Sequence, residues 1–409
     1  MSESNIREMG QGVRDVNHSE LEEMIEWSTE ANLPLFIHGT FGIGKSQTVQ
    51  EYGKKQGNKS DREFAYWNEI SKDKKMDIYE NPEDYWVFWD LRLAEEEPSN
   101  MKGIPDLEND IEATEWQPPI WAKVACKDGI KGMIFLDEVN QASPSVQSAF
   151  YKLILDRQVG EYTLAEDIKV LAAGNRAGKD QASVYEMDAP LRNRFLHLHL
   201  TIPSSGESGN WLDWATENDI HPYIISYIGS PAGSDHLFEF GDAQQDHKAI
   251  ATPRSWAFAS EILYSIEESK GNITPDDIRL GISSCVGEPI AQDFAGFIEK
   301  REEVPFDKFL QNPELAEELN ERSVGIQRSV VTGLAAEYDA DTDVLENLVE
   351  ISLHIPEEMG TLMFHHCMRY HPQHFKKGIK DDDIVSKQLS DEMAEKYLKL
   401  LHEEDVLEE

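Results

Sequence analysis

The sequence predicts an α/β unit, a parallel sheet with helices on both faces, followed by a helical region. Short apolar runs typical of buried strands alternate with helical stretches up to about residue 203, and this alternation is typical of a parallel sheet. A glycine-rich turn follows the first run and opens a helix. From about residue 204 the apolar residues recur at helical spacing instead.

The first half begins with a predicted helix over residues 19–31, with Ser19 as its N-cap. Further helices are expected over about 45–55 and 145–156. Residues 57–83 are polar and mixed in charge, which indicates a surface insertion rather than core. The predicted strands are residues 33–38, 85–91, 133–136, 170–173 and 195–200.

The second half divides into two predicted helical parts. A helical domain is expected over 204–300, and a helical extension with an acidic tail over 301–409. The α/β domain therefore covers 1–203. The predicted helices of the middle domain are 211–217, 222–227, 253–268 and 275–284.

The composition excludes several classes of protein. The 409 residues carry a formal charge of -40, from 78 acidic and 38 basic side chains. This balance disfavours nucleic acid as the main ligand, because phosphate contacts require a basic surface. The acidity fits either high solubility or a surface that docks a basic partner. Three widely spaced cysteines predict a reducing compartment, and no apolar run is typical of a signal peptide or membrane span, so a cytoplasmic protein is expected.

The glycine-rich turn matches the phosphate-binding pattern G-x-x-x-x-G-K-[ST]. Glycines let backbone amides turn toward phosphate oxygens, and the helix that follows adds its positive end. Lys45 is expected to reach the terminal phosphates of ATP, and the Ser46 hydroxyl to hold Mg²⁺. The candidate nucleotide-binding residues are Gly39, Thr40, Phe41, Gly42, Ile43, Gly44, Lys45, Ser46 and Gln47.

Two carboxylates end the apolar strand at residues 133–136. Asp137 is predicted to stand beside Mg²⁺, and Glu138 to act as the general base that polarises the attacking water. The alternative is a solvated strand end; the phosphate-binding pattern upstream favours the catalytic interpretation.

Three further polar residues complete the candidate site. Asn175 follows the next strand and can lie between water and the terminal phosphate, although an asparagine there is also a common turn former. Arg194 is favoured over Arg192 as a cation that reaches a neighbouring subunit's phosphate; a surface salt bridge is the alternative for either. Arg254, at a predicted helix start, can approach the phosphates from the helical domain.

Taken in order, the segments GTFGIGKS, MIFLDEVNQAS, LAAGN, APLRNRF and TPRSW resemble the AAA+ superfamily, most closely its MoxR-like branch, over roughly residues 15–300. The resemblance implies a nucleotide-binding domain, a helical lid and a homo-oligomeric ring, usually a hexamer. It implies Asn175 as sensor 1, Arg254 as sensor 2 and Arg194 acting in trans. It also implies a protein client or adaptor, such as a von Willebrand A domain protein.

We therefore expect an ATPase that remodels a protein client. One alternative is a nucleic-acid motor, which the acidic balance disfavours and DNA-stimulated turnover would support. The other is a scaffold that binds ATP to assemble and hydrolyses little of it; the presence of Glu138, Asn175 and Arg194 disfavours an inert site.

Overall fold

The computed structural model divides the chain into two compact units, residues 1–203 and 204–409. Each unit is described by itself below. The described residues are 13–98, 103–106, 115–175, 185, 187–203, 211–230, 232–239, 249–301, 306–322, 324–336 and 342–370.

The first unit is built on a seven-stranded sheet in which every neighbouring pair of strands is parallel. Its order is β1-β11-β2-β10-β7-β4-β3. Two short antiparallel hairpins, β5-β6 and β8-β9, lie outside it. The strands are β1 (Arg14–Val16), β2 (Leu35–His38), β3 (Glu63–Tyr66), β4 (Tyr85–Arg92), β5 (Ile104–Asp106), β6 (Glu115–Gln117), β7 (Lys131–Asp137), β8 (Gln158–Val159), β9 (Tyr162–Thr163), β10 (Ile168–Gly174) and β11 (Leu196–Leu200).

Helices cover both faces of this sheet. The central strands are apolar along almost their whole length because they are buried on both sides. A parallel sheet with a glycine-rich loop after an interior strand, here β2, is the fold of P-loop nucleoside triphosphatases, and the predicted fold class is confirmed. The helices of this unit are α1 (His18–Glu30), α2 (Lys45–Lys59), α3 (Lys72–Glu80), α4 (Ile120–Ala125), α5 (Pro144–Asp156) and α6 (Ala189–Arg192).

The segment 57–83 differs from its prediction as a surface insertion. It supplies the edge strand β3, which pairs in parallel with β4. Ala65, Trp67 and Ile78 are 2%, 6% and 0% exposed and belong to the core of the unit. The segment is polar as a whole because many residues around β3 are exposed, whereas β3 itself carries Phe64, Ala65 and Tyr66. Whether the segment is an insertion relative to other proteins stays a prediction.

The first helix also begins differently from its prediction. Asn17, not Ser19, is the N-cap: its side chain accepts a hydrogen bond from the Glu20 N–H, and the Glu20 carboxylate accepts one from the Asn17 N–H. This reciprocal pair is a capping box, and it satisfies two of the backbone donors that a helix start leaves free.

The described residues of the second unit are mainly helical, and they form two hydrophobic clusters. One lies among residues 211–298 and centres on Tyr227, Trp256 and Phe294. The other lies among residues 309–367. No described helix is long and apolar enough to cross a membrane. The helices are α7 (Trp211–Glu217), α8 (Pro222–Ile228), α9 (Pro253–Lys270), α10 (Pro275–Val286), α11 (Glu288–Arg301), α12 (Phe306–Gln311), α13 (Val324–Ala336), α14 (Thr342–His354) and α15 (Glu357–Tyr370).

Candidate active site

The glycine-rich loop, Asp137 and Asn175 meet at the carboxyl ends of three adjacent strands, β2, β10 and β7. Residues at the ends of these strands lie side by side, because His38 pairs with Gly174 and Leu136 pairs with Ala172. The glycine-rich loop follows β2, Asp137 ends β7, and Asn175 follows β10. The crevice outside the carboxyl ends of parallel strands is where open α/β sheets bind ligands.

The loop from Gly39 to Gly44 has the backbone geometry of a phosphate cradle. Gly42 and Gly44 have φ values of 72° and 95°, which side-chain-bearing residues rarely adopt. The loop feeds directly into α2, whose first residue is Lys45, so the helix N-terminus and its partial positive charge face the loop. The predicted nucleotide-binding residues up to Gly44 form this loop, and Lys45, Ser46 and Gln47 are the first residues of α2. The exposed side chain of Gln47 donates to Glu51 at 2.9 Å.

The ammonium group of Lys45 lies inside this loop. Its Nζ donates to the carbonyl oxygens of Gly39 and Thr40 at 2.8 and 2.7 Å, and to Oδ1 of Asn175 at 3.3 Å. The side chain is 7% exposed. A buried cation held mainly by neutral carbonyls is well placed to exchange them for phosphate oxygens, with which it forms stronger charge-assisted hydrogen bonds.

The hydroxyl of Ser46 and the carboxylate of Asp137 lie in direct contact. Ser46 Oγ donates to Asp137 Oδ2 at 2.6 Å, across 91 residues of sequence. Hydroxyl and carboxylate oxygens are ligands that Mg²⁺ accepts when it is also bound to phosphates. The two residues therefore fit the predicted magnesium site.

Glu138 has an unusual backbone conformation. Its φ is 56°, in the left-handed region, and its N–H donates to the Asp137 carboxylate at 2.8 Å. This conformation costs a residue other than glycine about 1 kcal/mol. Such strain is found at functional sites, where the surrounding structure holds it in place. The backbone turn lets two consecutive carboxylates serve one site: Asp137 contacts Ser46, while Glu138 is half-buried beside it.

Asn175 is fixed by a residue that the sequence did not single out. The side chain of Asn140 accepts a hydrogen bond from the Asn175 N–H at 3.1 Å and donates one to the Asn175 carbonyl at 2.5 Å. Both asparagines are nearly buried, at 8% and 7% exposed. Gly174 makes this contact possible, because a Cβ there would lie 2.5 Å from the Asn140 side-chain oxygen. The sequence offered one signal, a polar side chain just after the Asp137-Glu138 pair.

The two candidate finger arginines lie at the end of α6 and just beyond it, and both are exposed. Arg194 donates to the Pro190 carbonyl at 2.8 Å and lines a cavity of about 240 Å³ together with Arg157 and Lys169. In the other unit, Arg254 is exposed in the first turn of α9, behind the N-cap Thr252. Its predicted role toward the phosphates stays a prediction.

Three histidines around the loop were also missed from the sequence. His18 Nε2 contacts the Ile43 carbonyl at 2.8 Å, and burial lowers its pKa. His38, the residue before Gly39, lies 3.0 Å from His197 between ring nitrogens. Burial, followed by the nearby His197, His199 and Lys45, lowers the pKa of His38 to about 4. The His38–His197 contact joins residues 159 positions apart, so no local pattern announces it.

Comparisons with known proteins find structural similarity alone. No protein-family model matches the sequence, and no curated protein matches it. RuvB, the Holliday junction branch migration motor of Thermotoga maritima, aligns at 12% identity over 81% of this chain and 85% of its own, with a TM-score of 0.30. NtrX from Brucella abortus, in complex with ADP, aligns at 12% identity over 84% of this chain and 68% of its own, with a TM-score of 0.36. At such identities and TM-scores these similarities assign no family.

Proposed function

We propose that the protein is an AAA+ ATPase that hydrolyses ATP in the presence of Mg²⁺. The contact between Ser46 Oγ and Asp137 Oδ2, at 2.6 Å, carries this proposal. It brings the end of the glycine-rich loop and the end of the acidic strand to one point, as a phosphate-binding loop with its metal-holding aspartate requires.

Each residue of the site has a role that its position supports. Lys45 and the loop amides bind the phosphates of ATP, and Ser46 with Asp137 would hold Mg²⁺. The chemistry that Mg²⁺ supplies is neutralisation of charge on the phosphate oxygens. Glu138 orients the attacking water and accepts its proton, while Asn175, held by Asn140, completes the polar lining near the terminal phosphate.

We propose further that the chain works as a ring of identical subunits, a hexamer by its resemblance to the MoxR-like branch. Arg194 supports this, because its exposed guanidinium lies on the surface of the unit, where it can serve a neighbour. Arg254 would respond to the phosphates from the helical unit. Force generated by hydrolysis would remodel a protein client, with a von Willebrand A domain protein as adaptor. The net charge of -40 supports a protein rather than a nucleic acid client.

Steady-state hydrolysis by purified variants tests the site. Glu138→Gln should retain ATP binding and lower kcat by about 100-fold or more, because it loses the proton acceptor. Ser46→Ala should raise the Mg²⁺ concentration needed for half-maximal rate. The control is Asp167→Asn, an exposed carboxylate that precedes β10. Normal turnover in Glu138→Gln would reject Glu138 as the base, and turnover unaffected by both changes would reject the site.

Mixed assemblies test the shared site. Glu138→Gln subunits bind ATP and supply an intact Arg194, and Arg194→Ala subunits supply an intact phosphate loop and an intact Glu138. Each variant alone should be nearly inactive. A random equal mixture should recover roughly a quarter of the wild-type rate, the fraction of interfaces that pair one intact Glu138 with one intact arginine. Arg192→Ala is the matched control and should remain active alone. No recovery in the mixture would indicate a self-contained site.

A further inference from the structure

The phosphate loop and the segment that carries the candidate finger arginines are joined by two histidine side chains. His38 ends β2 and directly precedes Gly39. Its Nε2 lies 3.0 Å from Nδ1 of His197, the second residue of β11. Nε2 of His197 in turn lies 2.7 Å from the carbonyl oxygen of Arg192, the last residue of α6. A continuous chain of hydrogen bonds therefore runs from the residue before the loop to the end of α6.

The direction of these hydrogen bonds follows from their acceptor. A carbonyl oxygen only accepts, so His197 Nε2 donates to Arg192. In the neutral form of His197 the single proton is then on Nε2, which makes Nδ1 an acceptor, and His38 Nε2 must donate to it. Each ring nitrogen of His197 thus has a distinct task, one toward β2 and one toward α6.

The same contact closes the short loop in which Arg194 lies. The Arg192 carbonyl accepts from His197 Nε2 and also from the Phe195 N–H at 3.3 Å, so the chain returns on itself around Arg194. Phe195 is 7% exposed, and its ring packs edge-on against that of Phe36 in β2, with 5.5 Å between the ring centroids. Both polar and aromatic contacts therefore connect β2 to this loop.

Resting on the proposed function, we infer that the His38–His197 pair couples occupation of a subunit's own phosphate loop to the position of Arg194, which serves the next subunit. His38 moves with the loop because the two are consecutive in the chain, and the Gly39 N–H also donates to the Gly174 carbonyl at 3.2 Å. His197 passes that movement to α6. Both histidines are positioning residues that act through Arg194.

Hydrogen–deuterium exchange with and without Mg-ADP tests the coupling without requiring hydrolysis. In the wild type, nucleotide should slow exchange in two peptides, one covering the loop and one covering 189–197. His197→Gln keeps a donor near the Nε2 position for Arg192 but loses the acceptor for His38. His197→Asn keeps a partner for His38 but loses the bond to Arg192. In both variants the loop peptide should still respond to nucleotide, and the 189–197 peptide should lose at least about half of its response.

The control is His199→Asn, two residues along the same strand, where the amide retains a partner for Asp15 near the Nδ1 position. It should respond as the wild type does in both peptides. An unchanged response of 189–197 in the two His197 variants would overturn the coupling. A wild type whose loop peptide ignores nucleotide would instead reject the nucleotide site, and the coupling with it.

Turnover gives a second readout that separates coupling from folding. His197→Gln should lower kcat roughly tenfold with KM and the ADP dissociation constant within about twofold of wild type. In the equal mixture of Glu138→Gln and Arg194→Ala subunits, His197→Gln should lower the recovered rate when it is placed on the Glu138→Gln subunits, which supply Arg194. It should have no effect when it is placed on the Arg194→Ala subunits, which lack the side chain through which it acts. Equal losses in the two arrangements, or a loss of nucleotide affinity, would show that His197 acts elsewhere and contradict the inference.

Discussion

His38 should make the α/β unit sensitive to mild acid, and the effect can be calculated. Burial and three neighbouring cationic or ionisable groups lower its pKa from 6.5 to about 4. Between these values the unfolded chain binds a proton that the native state does not, so the free energy of unfolding falls as the pH falls. From pH 7.5 to pH 5.0 this group alone should remove about 2 kcal/mol.

The variant His38→Gln isolates this contribution. Glutamine keeps an amide donor near the position of Nε2 and cannot take up a proton in this range. Between the two pH values the variant's free energy of unfolding should therefore fall by about 2 kcal/mol less than that of the wild type. Hydrogen exchange of peptides covering β2 and β10, corrected for intrinsic rates, measures the opening free energy of this unit directly. Because only the difference in opening free energy between the two pH values is compared, any pH-independent loss of stability caused by the substitution cancels.

A control histidine should be replaced in the same way. His354 lies on the helical unit, bonded to Glu317, and His354→Gln should leave the exchange of β2 and its pH dependence unchanged. If His38→Gln and the wild type lose the same stability between pH 7.5 and pH 5.0, His38 is not held neutral by its surroundings, and the electrostatic reasoning given for the pair is wrong.

Three other predictions concern the residues that shape the site. Asn140→Leu leaves the buried N–H and carbonyl of Asn175 without partners and should cost about 2–4 kcal/mol, read by urea unfolding, and lower kcat. Gly174→Ala should lower Tm by several degrees, because its Cβ would lie 2.5 Å from the Asn140 oxygen, whereas Gly296→Ala, which meets nothing within 4 Å, should raise it slightly. Glu138→Gly should abolish turnover yet stabilise the protein by about 1 kcal/mol, because glycine adopts the left-handed conformation freely; equal or lower stability would contradict the assigned strain.

The parts of the site that the sequence predicted are those encoded in consecutive residues. The glycine-rich loop and the Asp137-Glu138 pair each occupy a single stretch with fixed chemistry, and the order of strands then brings them together. Fold class followed from the same local patterns. The Ser46–Asp137 contact adds what the sequence could not supply, a distance between residues 91 positions apart.

The parts that were missed depend on register or on an exposed edge. His38 and His197 meet because β2 and β11 are neighbours in one particular register, which no pattern in either strand specifies. Asn140 resembles a turn former in sequence and shows its role only through its two bonds to Asn175. Strand β3 was overlooked because an edge strand alternates toward solvent and its flanks are charged.

The left-handed backbone at Glu138 has an evolutionary consequence. Replacing Glu138 by glycine would remove the candidate base and also the backbone strain at this residue. A variant without turnover would therefore have a higher free energy of unfolding. A descendant that binds nucleotide without hydrolysing it, and uses the nucleotide only to hold an assembly together, is therefore one substitution away. That substitution would also increase the stability of the fold. Retention of glutamate at this position in a lineage would then mean that selection acts on ATP turnover itself, because glycine would give the more stable protein.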